Sequence, residues 1–393
     1  MKTIRPFRLT FSRLPAALAL GLAPTLLFAE VVMFQPQAPL ISGTNPLAPG
    51  IQAVPCVTDW NGDGLKDLLV GYRNTDKVAF YGNCGTDAQP VFTNFVNLRA
   101  GGVDIVQPGS SCGGPAPWVC DWDGDGRRDL LVGNGANGQV FFYANTNTDA
   151  APLLAPGVAL RVGASVLSVG ARATPFVHDW DQDGLPDLLC GDSSGYANFF
   201  KNNGTRQAPS YATAVHLRAG GTDVNFGARS AVRVLDWDGD GLQDLVGSGS
   251  GYAGWCRNVG SNPNPILSAK QTFVAPVSGS GLVNINTSYR MRLEVVDWNN
   301  DGLLDLLVGD STGPVFLFTG YRFALTGVAV TPGGAASLRW HSANFLRYDV
   351  LAGGEAASLG AVAATGIVSG GVSTCWTNNL PAAQQFYRVR LAQ

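Results

Sequence analysis

Five nine-residue stretches hold most of the acidic chemistry of this 393-residue chain. They read DWNGDGLKD, DWDGDGRRD, DWDQDGLPD, DWDGDGLQD and DWNNDGLLD, and begin at Asp59, Asp121, Asp179, Asp236 and Asp297. Every copy has Asp at positions 1, 5 and 9, Asp or Asn at position 3, and Gly at position 6. Oxygen donors on alternate residues, turned by a Gly, are what a hard cation needs to be wrapped by a short loop. The expected side-chain ligands are Asp59, Asn61, Asp63 and Asp67; Asp121, Asp123, Asp125 and Asp129; Asp179, Asp181, Asp183 and Asp187; Asp236, Asp238, Asp240 and Asp244; and Asp297, Asn299, Asp301 and Asp305. The position-7 carbonyls of Leu65, Arg127, Leu185, Leu242 and Leu303 would complete them. These loops hold 18 of the 29 acidic residues, and so many carboxylates in single turns repel unless cations sit among them. About five Ca²⁺ are therefore expected. Mg²⁺ suits the pattern less, because it keeps more of its water. An EF-hand is excluded, since position 12 is Val70, Val132, Cys190, Gly247 or Val308 rather than Glu.

The copies are spaced by 62, 58, 57 and 61 residues, which marks a repeat architecture. A short apolar strand precedes each cage, and a DLLVG-type strand follows it. A third strand ends in a bulky pair such as Phe80-Tyr81 or Phe142-Tyr143. The pattern predicts a fourth strand at Pro90–Phe92, Pro152–Leu154, Pro209–Tyr211 and Pro265–Leu267. Four short strands per unit make a propeller blade. The fifth unit lacks its fourth strand, while a matching Pro39-Leu40-Ile41 lies ahead of the first cage. The expectation is an all-β, five-bladed propeller over residues 34–322, closed by its N-terminal strand so that no long sheet edge is left open. An open stack of the same units is the alternative.

The DxDxDGxxD loop, the DLLVG strand and the aromatic-rich third strand resemble FG-GAP or VCBS-type repeats of secreted bacterial proteins. These are related to the calcium-loop blades of integrin α-subunits. The resemblance covers about three quarters of the chain. It implies a calcium-binding propeller, in a family that hosts lectin-like, adhesive and enzyme-appended modules. The fourth repeat has one Leu fewer in its DLVG strand, which predicts a shifted register in that blade. Asn at position 3 of the first and fifth cages predicts weaker metal binding there.

Composition agrees: 46% hydrophobic, 14% charged and 50 Gly describe a turn-dense β protein. A net charge of −3 carries no nucleic-acid signature. Lys2, Arg5, Arg8 and Arg13 precede an apolar run from Leu14 to Ala29, which reads as an export signal over residues 1–29. A retained anchor suits the run less, since it is short and contains Pro15 and Pro24. Secretion, or a periplasmic or cell-surface location, follows. Export permits disulfides: Cys112 with Cys120 and Cys56 with Cys84 are candidate pairs, whereas Cys190 and Cys256 read as buried thiols. Residues 323–393 alternate as strands and resemble a small fibronectin type III or immunoglobulin-like domain.

Arg172, Arg229 and Arg290 each lie seven residues before the cage of their repeat, where Gln52 and Gly114 stand in the first two. They should meet near the central channel mouth, and the guanidinium fork suits carboxylate or sulfate. Arg99, Arg161 and Arg218 form a second repeated set. Backbone capping at blade junctions is the plainer role for both sets. The cage Trp should pack between blades, and His178 reads as buried and hydrogen-bonded. Catalysis has little support: three His are scattered, and the acids outside the cages are few, among them Asp104, Asp192, Asp223 and Asp310. The reading is a calcium-stabilised binding or adhesion module for a glycan or an extracellular protein. The alternative is a polysaccharide lyase or hydrolase on the channel face.

Overall fold

The computed structural model describes residues 33–34, 38–107, 113–250, 252–277, 281–285 and 290–321, and six C-terminal strands between 325 and 391. The proposed signal segment and Cys112 lie outside the described residues. No helix occurs among those described.

Five four-stranded antiparallel sheets make the blades. Their innermost strands are Ile51–Thr58, Ala116–Cys120, Thr174–His178, Ala231–Leu235 and Arg292–Val296. Second strands start at the ninth cage residue, as in Asp129–Gly133. They are buried throughout in blades 2 to 5 because a neighbouring blade covers each face. Consecutive innermost strands touch, and the fifth touches the first, so the ring is closed. Ala38–Pro39 pairs with the third strand of blade 5, Ala38 opposite Leu317, and supplies its outer strand.

The outer strands lie later than the Pro-led trios. They are Val96–Asn97, Val158–Ala159, Val215–His216 and Gln271–Thr272. Pro has no N–H to give a ladder, and the trios instead close a loop centred on a buried Asn. Asn83 Oδ1 accepts from the N–H groups of Gly85 and Val91, at 2.9 and 3.0 Å. Asn145, Asn202 and Asn258 repeat the motif. Pro39 thus matches Asn97, not Pro90: Leu40 N donates to Val315 O as Leu98 N does to Val78 O. Blade 4 keeps its register, with Leu235 opposite Asp244 and Leu245 opposite Cys256. Its missing residue is absorbed because Gly247 takes the place of Val and the Phe226 ring lies where its side chain would be.

The cage Trp residues pack between blades as expected. Trp60 joins a core with Leu130, Val132 and Tyr143 of blade 2, and Trp298 joins one with blade 1. Cys56 and Cys84 are both free: Cys56 is buried in an innermost strand and Cys84 is exposed beyond the third. Cys190 and Cys256 are buried free thiols.

A second unit comprises the described parts of residues 1–36, 274–283 and 321–393. In it Met33–Phe34 runs parallel to Val274–Val277. The C-terminal strands form two three-stranded antiparallel sheets, with Leu338, Trp340 and Val350 buried. Among the described residues no helix is long and apolar enough to cross a membrane.

Candidate metal cages and the channel mouth

Each cage begins where an innermost strand ends and closes on the ninth residue, which opens the second strand. That Asp is fully buried in all five copies. One oxygen accepts the N–H of the cage Trp at 2.8 to 3.1 Å. The other accepts the N–H at the end of the third strand, from Asn83, Asn145, Asn202, Asn258 or Gly320, at 2.6 to 2.8 Å. Position 9 therefore ties the loop to its blade as well as facing the cage. Burial pushes these carboxyls up, Asp129, Asp187, Asp244 and Asp305 to about 6 and Asp67 in the same direction. Gly64, Gly126, Gly184, Gly241 and Gly302 at position 6 all have φ between 83° and 90°, a left-handed bend that explains the invariant Gly.

The position-5 Asp holds the loop from inside, accepting the position-7 N–H at 2.8 to 3.0 Å. Its outer oxygen always finds a donor, and the donor depends on position 3. Where position 3 is Asn, Asn61 and Asn299 supply their own amides, at 2.8 and 2.9 Å. Where it is Asp, a basic side chain does so: Arg127 on Asp125, Lys201 on Asp183 at 2.6 Å, Arg257 on Asp240 at 2.7 Å. Lys201 and Arg257 also reach the position-3 carboxylates of Asp181 and Asp238. Neighbouring blades add staples. Arg128 of blade 2 reaches Asp59 at 3.2 Å, and Arg206 of blade 3 reaches Asp121 at 3.2 Å. Arg206 stands where Asp87, Asp149 and Asn262 accept the position-8 N–H of the first, second and fourth loops. Position 8 is Pro186 in that blade and has no N–H, so an acceptor is not needed there.

Three of the cages bring together carboxylates that fit a cation. Carboxylate oxygens of Asp121, Asp123 and Asp129 lie within 4.8 Å of one another, as do those of Asp179, Asp181 and Asp187, and of Asp236, Asp238 and Asp244. Four oxygens in these loops, Oδ1 of Asp59, Asp121, Asp181 and Asp238, are buried without a hydrogen-bond partner. A buried carboxylate oxygen left so is costly unless a cation faces it.

At the other end of the innermost strands, Arg172, Arg229 and Arg290 share one turn position with Gln52 and Gly114. Arg172, Arg229, Arg290 and Gln52 have φ of 57°, 67°, 71° and 57°. Two residues on, Arg292 is buried, and its pKa falls to about 9 through burial and the charges of Arg172, Arg229 and Arg290. Deeper still, Cys56, Trp118, Phe176, Arg233 and Glu294 occupy the position three before each cage. Arg233 pairs with Glu294 across blades 4 and 5, Nη2 to Oε2 at 2.9 Å and Nε to Oε1 at 3.1 Å. Its guanidinium lies 4.8 Å from the Trp118 ring and 5.4 Å from Phe176. Side chains from four blades meet only at the axis, so this layer fills the channel. Aligning the repeats on this position, as on the arginines, would have exposed it: a lone Arg and a lone Glu among apolar residues at one register.

The remaining predicted residues have local roles. Arg99, Arg161 and Arg218 bond the carbonyls of Gly102, Ala164 and Gly221 within their hairpins. Asp104 pairs with Lys77 and Arg99, and Asp223 with His216 and Arg218. His178 is half-buried and stacked 6.0 Å from Phe176, held by packing instead of the expected hydrogen bond.

The FG-GAP-like repeat family matches residues 179–247 and 236–308. Over 150 residues the chain is 29% identical to integrin alpha-4 of Xenopus laevis, covering 34% of this chain and 14% of that protein. A lectin of Agrocybe aegerita, solved for its specific recognition of non-reducing terminal N-acetylglucosamine, aligns with a TM-score of 0.33 at 18% identity, over 84% of this chain and 86% of the lectin. The Tc holotoxin pore of Photorhabdus luminescens aligns with a TM-score of 0.33 at 18% identity, over 78% of this chain and 13% of that one.

Proposed function

Because the chain carries FG-GAP-like repeats on a five-bladed β-propeller, we propose that it is an exported, calcium-stabilised binding module for a glycan or an extracellular protein. The observation that carries the calcium part is the set of buried carboxylate oxygens in these loops without hydrogen-bond partners. Asp or Asn at positions 1, 3 and 5, Asp at position 9 and the position-7 carbonyl would hold each ion. Ca²⁺ would supply charge neutralisation to these carboxylates. The metal is structural in this reading.

Recognition would then fall to groups outside the cages, and Arg172, Arg229 and Arg290 at the channel mouth are the proposed ligand contacts. Likeness to an integrin subunit over a third of the chain favours surface recognition. The test is a thermal melt of the mature chain with EDTA and with millimolar Ca²⁺, joined to metal counting and glycan-array binding. At tenfold excess over Kd each site contributes about 1.4 kcal/mol, and sites of this kind bind at about 10⁻⁴ to 10⁻³ M. About five ions per chain, a large rise in Tm and calcium-dependent glycan or protein capture are expected. No bound metal sinks the calcium reading. Depolymerisation of a polysaccharide by the pure chain would move the function to the lyase or hydrolase alternative.

A further inference from the structure

We propose that the cages of blades 3 and 4 carry built-in competitors for calcium: Lys201 and Arg257 neutralise these loops when no ion is bound and hold down their calcium affinity. This rests on the calcium reading and adds a regulation of two of its sites.

A basic side chain from outside the nine residues reaches every loop, but the chain supplies it in two ways. In the first, it comes from the next blade around the ring. Arg128, at position 8 of the second loop, lies 3.2 Å from Asp59 Oδ2, and Arg206 of blade 3 lies 3.2 Å from Asp121 Oδ2. Lys66, at position 8 of the first loop, reaches the fifth loop at Asn300. These contacts fall on position 1 or position 4 and leave positions 3 and 5 alone. The blades that follow loops 3 and 4 have Gln243 and Leu304 at position 8, and neither carries a charge. There the blade's own third strand supplies the base instead. Lys201 follows Phe200 and Arg257 follows Cys256, where the other blades have Gly82, Ala144 and Thr319.

The second arrangement puts the charge where an ion would compete with it. Lys201 Nζ touches Asp181 and Asp183, the latter at 2.6 Å. Arg257 lies 2.7 Å from Oδ2 of both Asp238 and Asp240. One cation is thus shared between positions 3 and 5, two carboxylates that a wrapped ion also needs. The other loops lack this sharing. Arg127 takes the position-5 carboxylate of loop 2 and is tied to Asn145 O at 2.7 Å. In loops 1 and 5 the amide of Asn61 or Asn299 holds position 5 at 2.8 or 2.9 Å. Calcium entering loop 3 or 4 either breaks two ion pairs or lies beside a positive charge, and both weaken its binding. The basic side chain replaces the ion only in part: Oδ1 of Asp181 and of Asp238 stays buried without a hydrogen-bond partner, so calcium still has an unmet acceptor there. Four carboxylates and one base also leave the same charge as the three carboxylates of loop 5. Asp at position 3 therefore brings loops 3 and 4 no advantage in charge over Asn.

The test titrates calcium into metal-free mature protein by calorimetry and measures the Tm of the same samples with and without calcium. In Lys201→Met and in Arg257→Met one site should gain about three- to tenfold in affinity, while the calcium-free Tm falls. Lys201→Arg keeps the charge and should keep the wild-type affinity. Arg99→Gln, in an exposed hairpin, should alter neither quantity. A merely structural side chain would lower the Tm equally with and without calcium and would not raise affinity, so the opposite signs are diagnostic. If Lys201→Met does not fold, Arg257→Met carries the same test. Wild-type affinity in the Met variants, or equal Tm losses in both conditions, overturns the proposal while calcium uptake leaves the calcium reading standing. Wild-type protein that takes up no calcium overturns both.

Discussion

Where the innermost strands end, eighteen carboxylates are divided among five separate loops; where they begin, four guanidiniums are drawn onto three adjacent blades. Most of the groups that hold the carboxylates belong to the same blade: position 9 takes the cage Trp N–H, position 5 the position-7 N–H. Among the described residues only Arg128 and Arg206 reach a cage carboxylate from the next blade. The arginines lie some sixty residues apart and meet only because the blades close around an axis. The acidic end is organised mainly loop by loop, and the basic end by the closing of the ring.

Calcium removal should break this contrast most strongly. With five sites near tenfold saturation the ions contribute about 7 kcal/mol, so EDTA should lower the Tm by on the order of 10 °C or more. A shift of under a few degrees would make the cages self-sufficient turns. Next comes Asp244→Ala, which deletes a proposed metal ligand and strands two buried N–H groups, of Trp237 and Asn258. A loss of about 3 to 5 kcal/mol in urea unfolding is expected with calcium present, since each stranded group costs about 1 to 3 kcal/mol. Arg99→Ala, in an exposed hairpin, should cost under about 0.5 kcal/mol.

The filled axis supplies a third test. Glu294→Gln leaves Arg233 buried and uncompensated, for an expected cost of about 3 to 5 kcal/mol, whereas replacing both by apolar residues should be nearly neutral. Additive losses in the double variant would show that the pair is not the unit of stability. The pH response is a smaller effect with a definite sign. Asp129, Asp187, Asp244 and Asp305 have folded pKa values of about 6, above the ordinary unfolded value of about 3.9. Their contribution to metal-free stability is therefore fully present below about pH 4 and lost as pH rises through about 6. Calcium competes with those protons, so adding it at pH 6 should release protons, measurable by titration in weak buffer. The finest effect lies between cages: Lys201→Met removes a cation from among Asp181 and Asp183 and should raise calcium affinity at that loop several-fold. An unchanged affinity would mean the ammonium leaves when the ion enters.

The cages could be read from sequence because their candidate donors and their turn are short-range. Nine residues contain the donors, the left-handed Gly and the buried hub, and five copies supply the comparison. The ring also followed from counting strands, since a missing outer strand and a spare one must find each other. The register of that outer strand did not: Pro90 and Pro39 look equivalent in sequence, but hydrogen bonds to Asn83 and to Val315 place them differently.

Sequence alone therefore settled the repeat, the all-β blade and the closure, because each is a property of one unit or of the number of units. Tertiary structure decided which cation serves which carboxylate. Lys201 turns to its own loop while Arg128 and Arg206 cross to the preceding blade, since reach across a blade junction depends on a separation no local pattern records. It also decided that Arg233 and Glu294, 61 positions apart, pair at the axis, which only the packing of blades 4 and 5 brings about.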